Sequence, residues 1–196
     1  MREAAVGFRA HSGWAVAVAL ADPAAPVVVH RTVLKLAERP QGVQPYHAAV
    51  KMRLKEAAEF IDRCAKVTDA LARQAVREWI EDLRGYRVIG GVILEGSGRE
   101  TPDLAATLAS HALIHTAEGE FYRRALRRAC EACGVAVSGV KEKELAGLAA
   151  PRLGIPADAL MRRAADLGKG LGPPLRRDEK LAALAAWLRL ATAARP

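Results

Sequence analysis

The sequence predicts an α/β fold, a mixed five-stranded sheet with helices on both faces in three α/β/α layers. Three observations predict it. The chain opens with three β-rich runs separated by short turns. A nearly continuous apolar run follows a long helical stretch, at residues 88–94. From there, helix and strand patterns alternate to the end.

Residues 4–10, AAVGFRA, form the first strand. The turn His11-Ser12-Gly13 leads to WAVAVALA, and the Asp22-Pro23 turn leads to PVVVHRTVLKL, Pro26 to Leu36. Short turns between β-rich runs specify an antiparallel meander. A loop with Pro40, Gly42 and Pro45 precedes a helical region from Tyr46 to Leu83. Its expected inner face is Val50, Leu54, Ala57, Ile61, Cys64, Val67, Leu71, Ala75, Trp79 and Leu83, with a break expected near Thr68. Val88, Ile89, Val92, Ile93 and Leu94 then read as a central parallel strand buried on both faces. Thr101-Pro102-Asp103 starts the next helix, expected to kink at Gly119 and stop at Gly134. VAVSGV from Val135 is a short strand, and KEKELAGLAAPRLG a short helix. Residues 157–167 add a further helical turn or two. GKGLGPP is a loop at 168–174, and the last helix runs from Asp178 to Leu190. The order is β-β-β-α-β-α-β-α, and residues 1–196 are expected to form one domain.

At 196 residues the chain is long enough for a good core. Aromatics are only 5%, so Ala, Leu and Val must build that core. No apolar run approaches the roughly 20 residues of a membrane helix, so no membrane partner is expected. The opening MREAAVGFRAHSG lacks the apolar stretch of a secretory signal, and Cys64, Cys130 and Cys133 make no disulfide framework; a cytoplasmic location is expected. The net charge of +8 and pI near 9.8 favour a polyanionic partner such as DNA or RNA. The excess sits late: from Arg152 to Arg195 there are nine Lys or Arg against four Asp or Glu. A homodimer is left open.

The element order and three short motifs resemble the ribonuclease H-like superfamily, in its RuvC-type branch of Holliday-junction resolvases. VGFRAHSGWAVAVAL resembles that branch's first strand, glycine turn and second strand. VIGGVILEGSG ends in Glu95, similar to the acidic residue closing the fourth strand. RRDEKLAALAAWL resembles the last helix, acidic at its start and Ala-rich after. The resemblance implies carboxylates at the sheet's centre holding divalent magnesium or manganese for phosphodiester hydrolysis. Glu95, Asp178 and Glu179 are the positions it carries over. One position departs from the pattern. Arg9 stands where the branch has an Asp in its first strand, and a cation there repels the ion. The related sugar-kinase and actin-like ATPases share that Asp, so Arg9 counts against phosphate-loop chemistry as well.

His111 and His115, four apart, share a helix face and are candidate metal ligands together with Glu95 and Asp178. Glu118 and Glu120, one turn on, are candidate third ligands or simply exposed charges, and His11 could join the ligands. Packed imidazoles would explain the same pair. Asp178 and Glu179 equally suit a helix start, Asp178 as its cap. Arg9, Lys169, Arg176 and Arg177 are candidate nucleic-acid contacts, or ordinary solvated charges. Cys130-x-x-Cys133 has no second pair, GKGLG is not a phosphate loop, and no serine or cysteine hydrolase motif is present.

Two readings follow: a metal-dependent nuclease, or a binding module that kept the fold and lost the chemistry. Convergence of Glu95, Asp178 and the histidines would favour the first. An ion pair from Arg9 to Glu95 or Asp178 would favour the second.

Overall fold

The computed structural model describes residues 1–38, 40–96 and 103–193. Its strands are β1 (Arg2–His11), β2 (Trp14–Ala21), β3 (Val27–Lys35), β4 (Tyr86–Glu95) and β5 (Val137–Lys141). Its helices are α1 (Pro40–Val43), α2 (Pro45–Ala49), α3 (Leu54–Asp82), α4 (Leu104–Leu108), α5 (His111–Ala132), α6 (Leu145–Leu153), α7 (Leu160–Asp166) and α8 (Arg177–Ala193), with a 3-10 turn at Glu142–Glu144. The five strands form one sheet in the order β3-β2-β1-β4-β5. The meander β1-β2-β3 is antiparallel, while β4 and β5 add in parallel. β1 is therefore the middle strand, and β4, expected to be central, stands between it and the edge strand β5.

Strand alternation sorts β1 into two faces. Val6 and Phe8 pack with Trp79 of α3 and Phe121, Tyr122 and Leu126 of α5. Ala5, one residue before Val6 and on the opposite face, packs with Ala182, Ala183 and Ala186 of α8. α8 approaches β1 so closely that a Cβ on Gly7 would fall 1.9 Å from the Ala182 carbonyl oxygen. The run Leu181–Ala186 is buried throughout, because α6 and α7 cover the side of α8 that the sheet does not. On the other face Trp79 meets Phe8 edge-on, with ring centroids 5.5 Å apart, and donates from Nε1 to His30 Nδ1 at 2.8 Å.

The helix boundaries differ from the sequence reading in two places. The first helical region breaks at residues 50–53, not near Thr68, which lies buried inside α3. Glu56 accepts from the Arg53 backbone N–H at 3.4 Å, a helix-start device that the apolar pattern runs straight across. Val50, Leu54 and Val67 are consequently exposed, and the inner face is Ala57, Thr68, Ala72, Val76 and Trp79. The second region breaks at Ala109-Ser110, where Ser110 is extended, while Gly119 lies inside an unbroken α5. Thr101 and Pro102 lie outside the described residues, and Asp103 supplies the cap, accepting from the Ala106 N–H at 2.9 Å. Gly134 ends α5 with φ +73°, as expected.

Candidate functional site

Arg9 lies near the carboxyl end of the central strand, on the α8 face. Its Nε donates to Glu142 Oε2 at 3.0 Å and its Nη1 to Asp178 Oδ1 at 3.0 Å. His11, two residues on and on the same face, places Nε2 2.9 Å from Asp178 Oδ2 and 2.7 Å from Arg9 Nη1. One ring nitrogen serves one of them at a time: protonated it donates to Asp178, unprotonated it accepts from Arg9. Burial, and then the Arg9 charge, hold the His11 pKa below its ordinary value against the pull of Asp178, which favours the neutral ring.

The other carry-over acids are also taken. Glu179 Oε1 accepts from Arg31 Nη1 at 3.2 Å, and its Oε2 accepts from the Arg176 backbone N–H at 2.6 Å. α8 begins at Arg177, so Asp178 is not its cap; Glu179 reaches back to the helix start instead. Arg31 also donates to the Leu171 and Pro173 carbonyls at 3.3 and 2.7 Å, tying the loop at 168–174 to α8.

Glu95 closes β4 but does not join Arg9 and Asp178. In the parallel register Arg9 is opposite Leu94, which packs on the α8 side. Glu95, one residue on, leans the other way and accepts from Arg127 Nη2 of α5 at 3.0 Å. Gly139 of β5 makes room for it, since a Cβ there would meet Glu95 Oε1 at 1.8 Å.

Hard divalent ions need carboxylate oxygens that are free to bind them. Asp178 and Glu142 are shared with Arg9, Glu179 with Arg31, and Glu95 with Arg127. A guanidinium at the centre and an arginine on each acid do not fit a magnesium or manganese pair.

His111 and His115 lie elsewhere. His115 is twelve residues before Arg127 on α5, about 18 Å along the helix at 1.5 Å per residue, so neither histidine shares a site with Glu95. They meet His47 of α2, with ring centroids 5.6 and 4.8 Å from it. Among the described residues, these three alone bring three metal-binding side chains together, their ligand atoms lying within 4.8 Å of one another. Glu118 is only 2% exposed; Glu120 pairs instead with Arg123.

Of the candidate nucleic-acid contacts, Arg9 faces Asp178 and Glu142, and exposed Lys169 pairs with Asp166 at 2.8 Å. Arg176 and Arg177 are exposed, and neither side chain has an ion-pair partner among the described residues; the same holds for Lys143. Arg176 lines a cavity of about 420 Å³ with Trp14, Arg31, Pro173 and Pro174. Trp14 is 36% exposed and stacks on His11, with centroids 4.0 Å apart and planes 10° apart. Arg177 and Lys143 line a neighbouring open cavity with Glu95 and Glu142.

Sequence reasoning missed His47, Glu142, Arg31 and Arg127. Each stands far along the chain from its partner, and no local spacing marks it. Trp14 alone carried a signal, as an exposed aromatic directly after a tight turn.

No family model matches the chain, and no curated protein matches it. Solved structures do. The chain is similar to T. thermophilus RuvC in complex with Holliday junction substrate, with 14% identity and a TM-score of 0.54 over 97% of this chain and 94% of that one. It is also similar to the Thermus thermophilus RuvC structure, with 15% identity and a TM-score of 0.52 over 97% and 95%. The fold is ribonuclease H-like and RuvC-like. No helix among the described residues is long and apolar enough to cross a membrane.

Proposed function

We propose that this chain is a nucleic-acid-binding module that keeps a RuvC-like fold and does not cleave phosphodiesters at the centre of its sheet. One observation carries the reading: Arg9 occupies the centre and is tied to Asp178 and Glu142 at 3.0 Å each. That arrangement satisfies the acids internally and, among the described residues, leaves no open carboxylate cluster for a pair of hard cations.

The surface beside this centre supports the binding half. Arg176, Arg177 and Lys143 are exposed at the carboxyl ends of the strands and at the start of α8. Cations so placed neutralise backbone phosphates and fix a strand without reading its sequence. Trp14 offers a ring already immobilised against His11, on which an unpaired base can stack. The overall charge of +8 adds long-range attraction. Because a RuvC of this fold has been solved with a Holliday junction, a four-way DNA junction is the first probe.

The test is a gel-shift and cleavage assay with four-way, duplex and single-stranded DNA, in magnesium or manganese. We expect salt-dependent retention and intact DNA. Cleavage by the wild type that Glu95→Gln and Asp178→Asn both abolish would overturn the non-catalytic reading. Failure to retain any of the three DNAs at low salt would overturn the binding reading.

A further inference from the structure

We infer that His47, His111 and His115 form a binding site for a zinc-class divalent transition-metal ion, with Glu118 positioning the His47 ring. The site stands on the α3 and α5 side of the molecule and is independent of the Arg9 centre, so it holds or fails regardless of the nucleic-acid reading.

The donors come from two elements. His111 and His115 are one turn apart at the start of α5, with Nε2 atoms 3.0 Å from each other. His47 comes from α2, and all three ligand atoms lie within 4.8 Å. Tetrahedral zinc holds nitrogens at about 2.1 Å, so ligand atoms stand about 3.4 Å apart. The present separations, from 3.0 Å up to 4.8 Å, bracket that spacing.

Glu118 is the second, independent observation. It is buried on α5, one turn past His115, and its Oε1 lies 3.3 Å from His47 Nδ1. The same oxygen accepts the backbone N–H groups of Tyr46 and His47 at 2.9 and 3.1 Å. It therefore caps α2, whose own Gln44 makes no side-chain cap, and fixes α2 against α5. A hydrogen on His47 Nδ1 directed at Glu118 leaves Nε2 with its lone pair, the tautomer a metal takes. A carboxylate behind a ligating histidine is the usual way proteins orient such a ligand. The Glu118 Oε2 atom is buried with no hydrogen-bond partner among the described residues, a cost this position carries for its first oxygen's three contacts.

Three imidazole nitrogens select zinc, copper, nickel or cobalt over magnesium and calcium, which want oxygen. His111 and His115 are exposed, so a fourth position faces solvent and takes water.

The full chain, stripped with chelator and dialysed, is titrated with cobalt(II) chloride and zinc chloride by calorimetry and visible absorption. We expect one saturable cobalt site per chain, displaced by zinc and unaffected by millimolar magnesium. His115→Ala and His111→Ala lie on an exposed face and keep the fold; each is expected to weaken binding at least tenfold. Glu118→Gln is expected to weaken it about tenfold to a hundredfold. If Glu118→Gln unfolds, the two exposed histidine variants decide alone. Absence of a saturable site in the wild type, or wild-type binding in both His111→Ala and His115→Ala, would overturn the inference.

Discussion

Arg9 Nη1 lies 3.0 Å from Asp178 Oδ1, bridging the central strand to the first turn of the last helix across 169 residues of sequence. Both side chains are mostly buried, at 21% and 28% exposure. Removing one leaves the other's charge poorly solvated. We expect Arg9→Ala to lower stability by about 1–3 kcal/mol, because Glu142 and Asp178 both lose their cation. A double-mutant cycle with Asp178→Asn, read by urea denaturation, should show a coupling of about 1 kcal/mol. Additive effects would mean the pair contributes nothing to the fold.

His11 makes the same corner pH-sensitive. Burial and the Arg9 charge depress its pKa below 6.5 in the folded chain. The unfolded chain therefore takes up the proton first as pH falls. The stability this group contributes is present above pH 6.5 and lost as pH drops through the folded value. The urea midpoint should fall between pH 7.5 and pH 5, and His11→Gln should flatten that slope. An unchanged slope would remove His11 as its source.

The meander, strand β4 and the acidic start of the last helix were legible in the sequence because each is a local pattern: turn residues, an apolar run, adjacent charges. Arg9 was legible too, as the wrong charge at a strand end. Its partner Glu142 was not, since strand β5 had to be placed beside β4 before Glu142 came within reach. The outward lean of Glu95 is a one-residue phase relation between β1 and β4, fixed by their pairing register and invisible in either strand alone. His47 shows the same limit. It lies 64 residues before His111, and only the docking of α2 on α5 brings them together. The misplaced helix breaks at 50–53 and 109–110 have a different cause: Glu56 closing back on the Arg53 N–H, and the extended backbone of Ser110, cut across apolar periodicity that continued through them.

Two glycines should respond unlike each other to the same substitution. Gly7→Ala drives a methyl into the backbone of α8, 1.9 Å from the Ala182 oxygen, and neither element can give way cheaply. It should cost about 3 kcal/mol or more, as overpacking into a rigid backbone does. Gly139→Ala meets only the mobile end of Glu95. Glu95 can swing aside, losing its Arg127 contact, for about 1 kcal/mol. Equal thermal shifts in the two variants would contradict the close packing of α8 on β1.

Burial decides cysteine reactivity. The Cys130 thiol is 0% exposed, and burial pushes its pKa up to about 12. The half-exposed Cys64 and Cys133 are raised as well, both by burial first. At pH 8 a thiol reagent should label Cys64 and Cys133 slowly and Cys130 only after unfolding. Rapid native labelling at Cys130, or a disulfide between Cys130 and Cys133 under mild oxidant, would show an accessible redox pair there instead.

The exposed arginines before and at the start of α8 give the binding proposal its sharpest consequence. Arg176 and Arg177 are adjacent, and neither side chain is paired with an acid among the described residues, so their charge is available to phosphate. Each phosphate contact contributes close to one unit to the slope of log affinity against log salt. Arg176→Ala with Arg177→Ala should therefore lower DNA affinity about tenfold near physiological salt and flatten that slope by one to two units. Lys169, already held by Asp166 at 2.8 Å, should matter less when changed to Ala. Trp14→Ala should behave differently from all three, weakening single-stranded or branched DNA while leaving duplex binding and the salt slope nearly unchanged, because stacking needs an unpaired base and releases no counterion. A Trp14 variant that loses duplex and single-strand binding equally would place the ring in the fold of the corner and not at the nucleic acid.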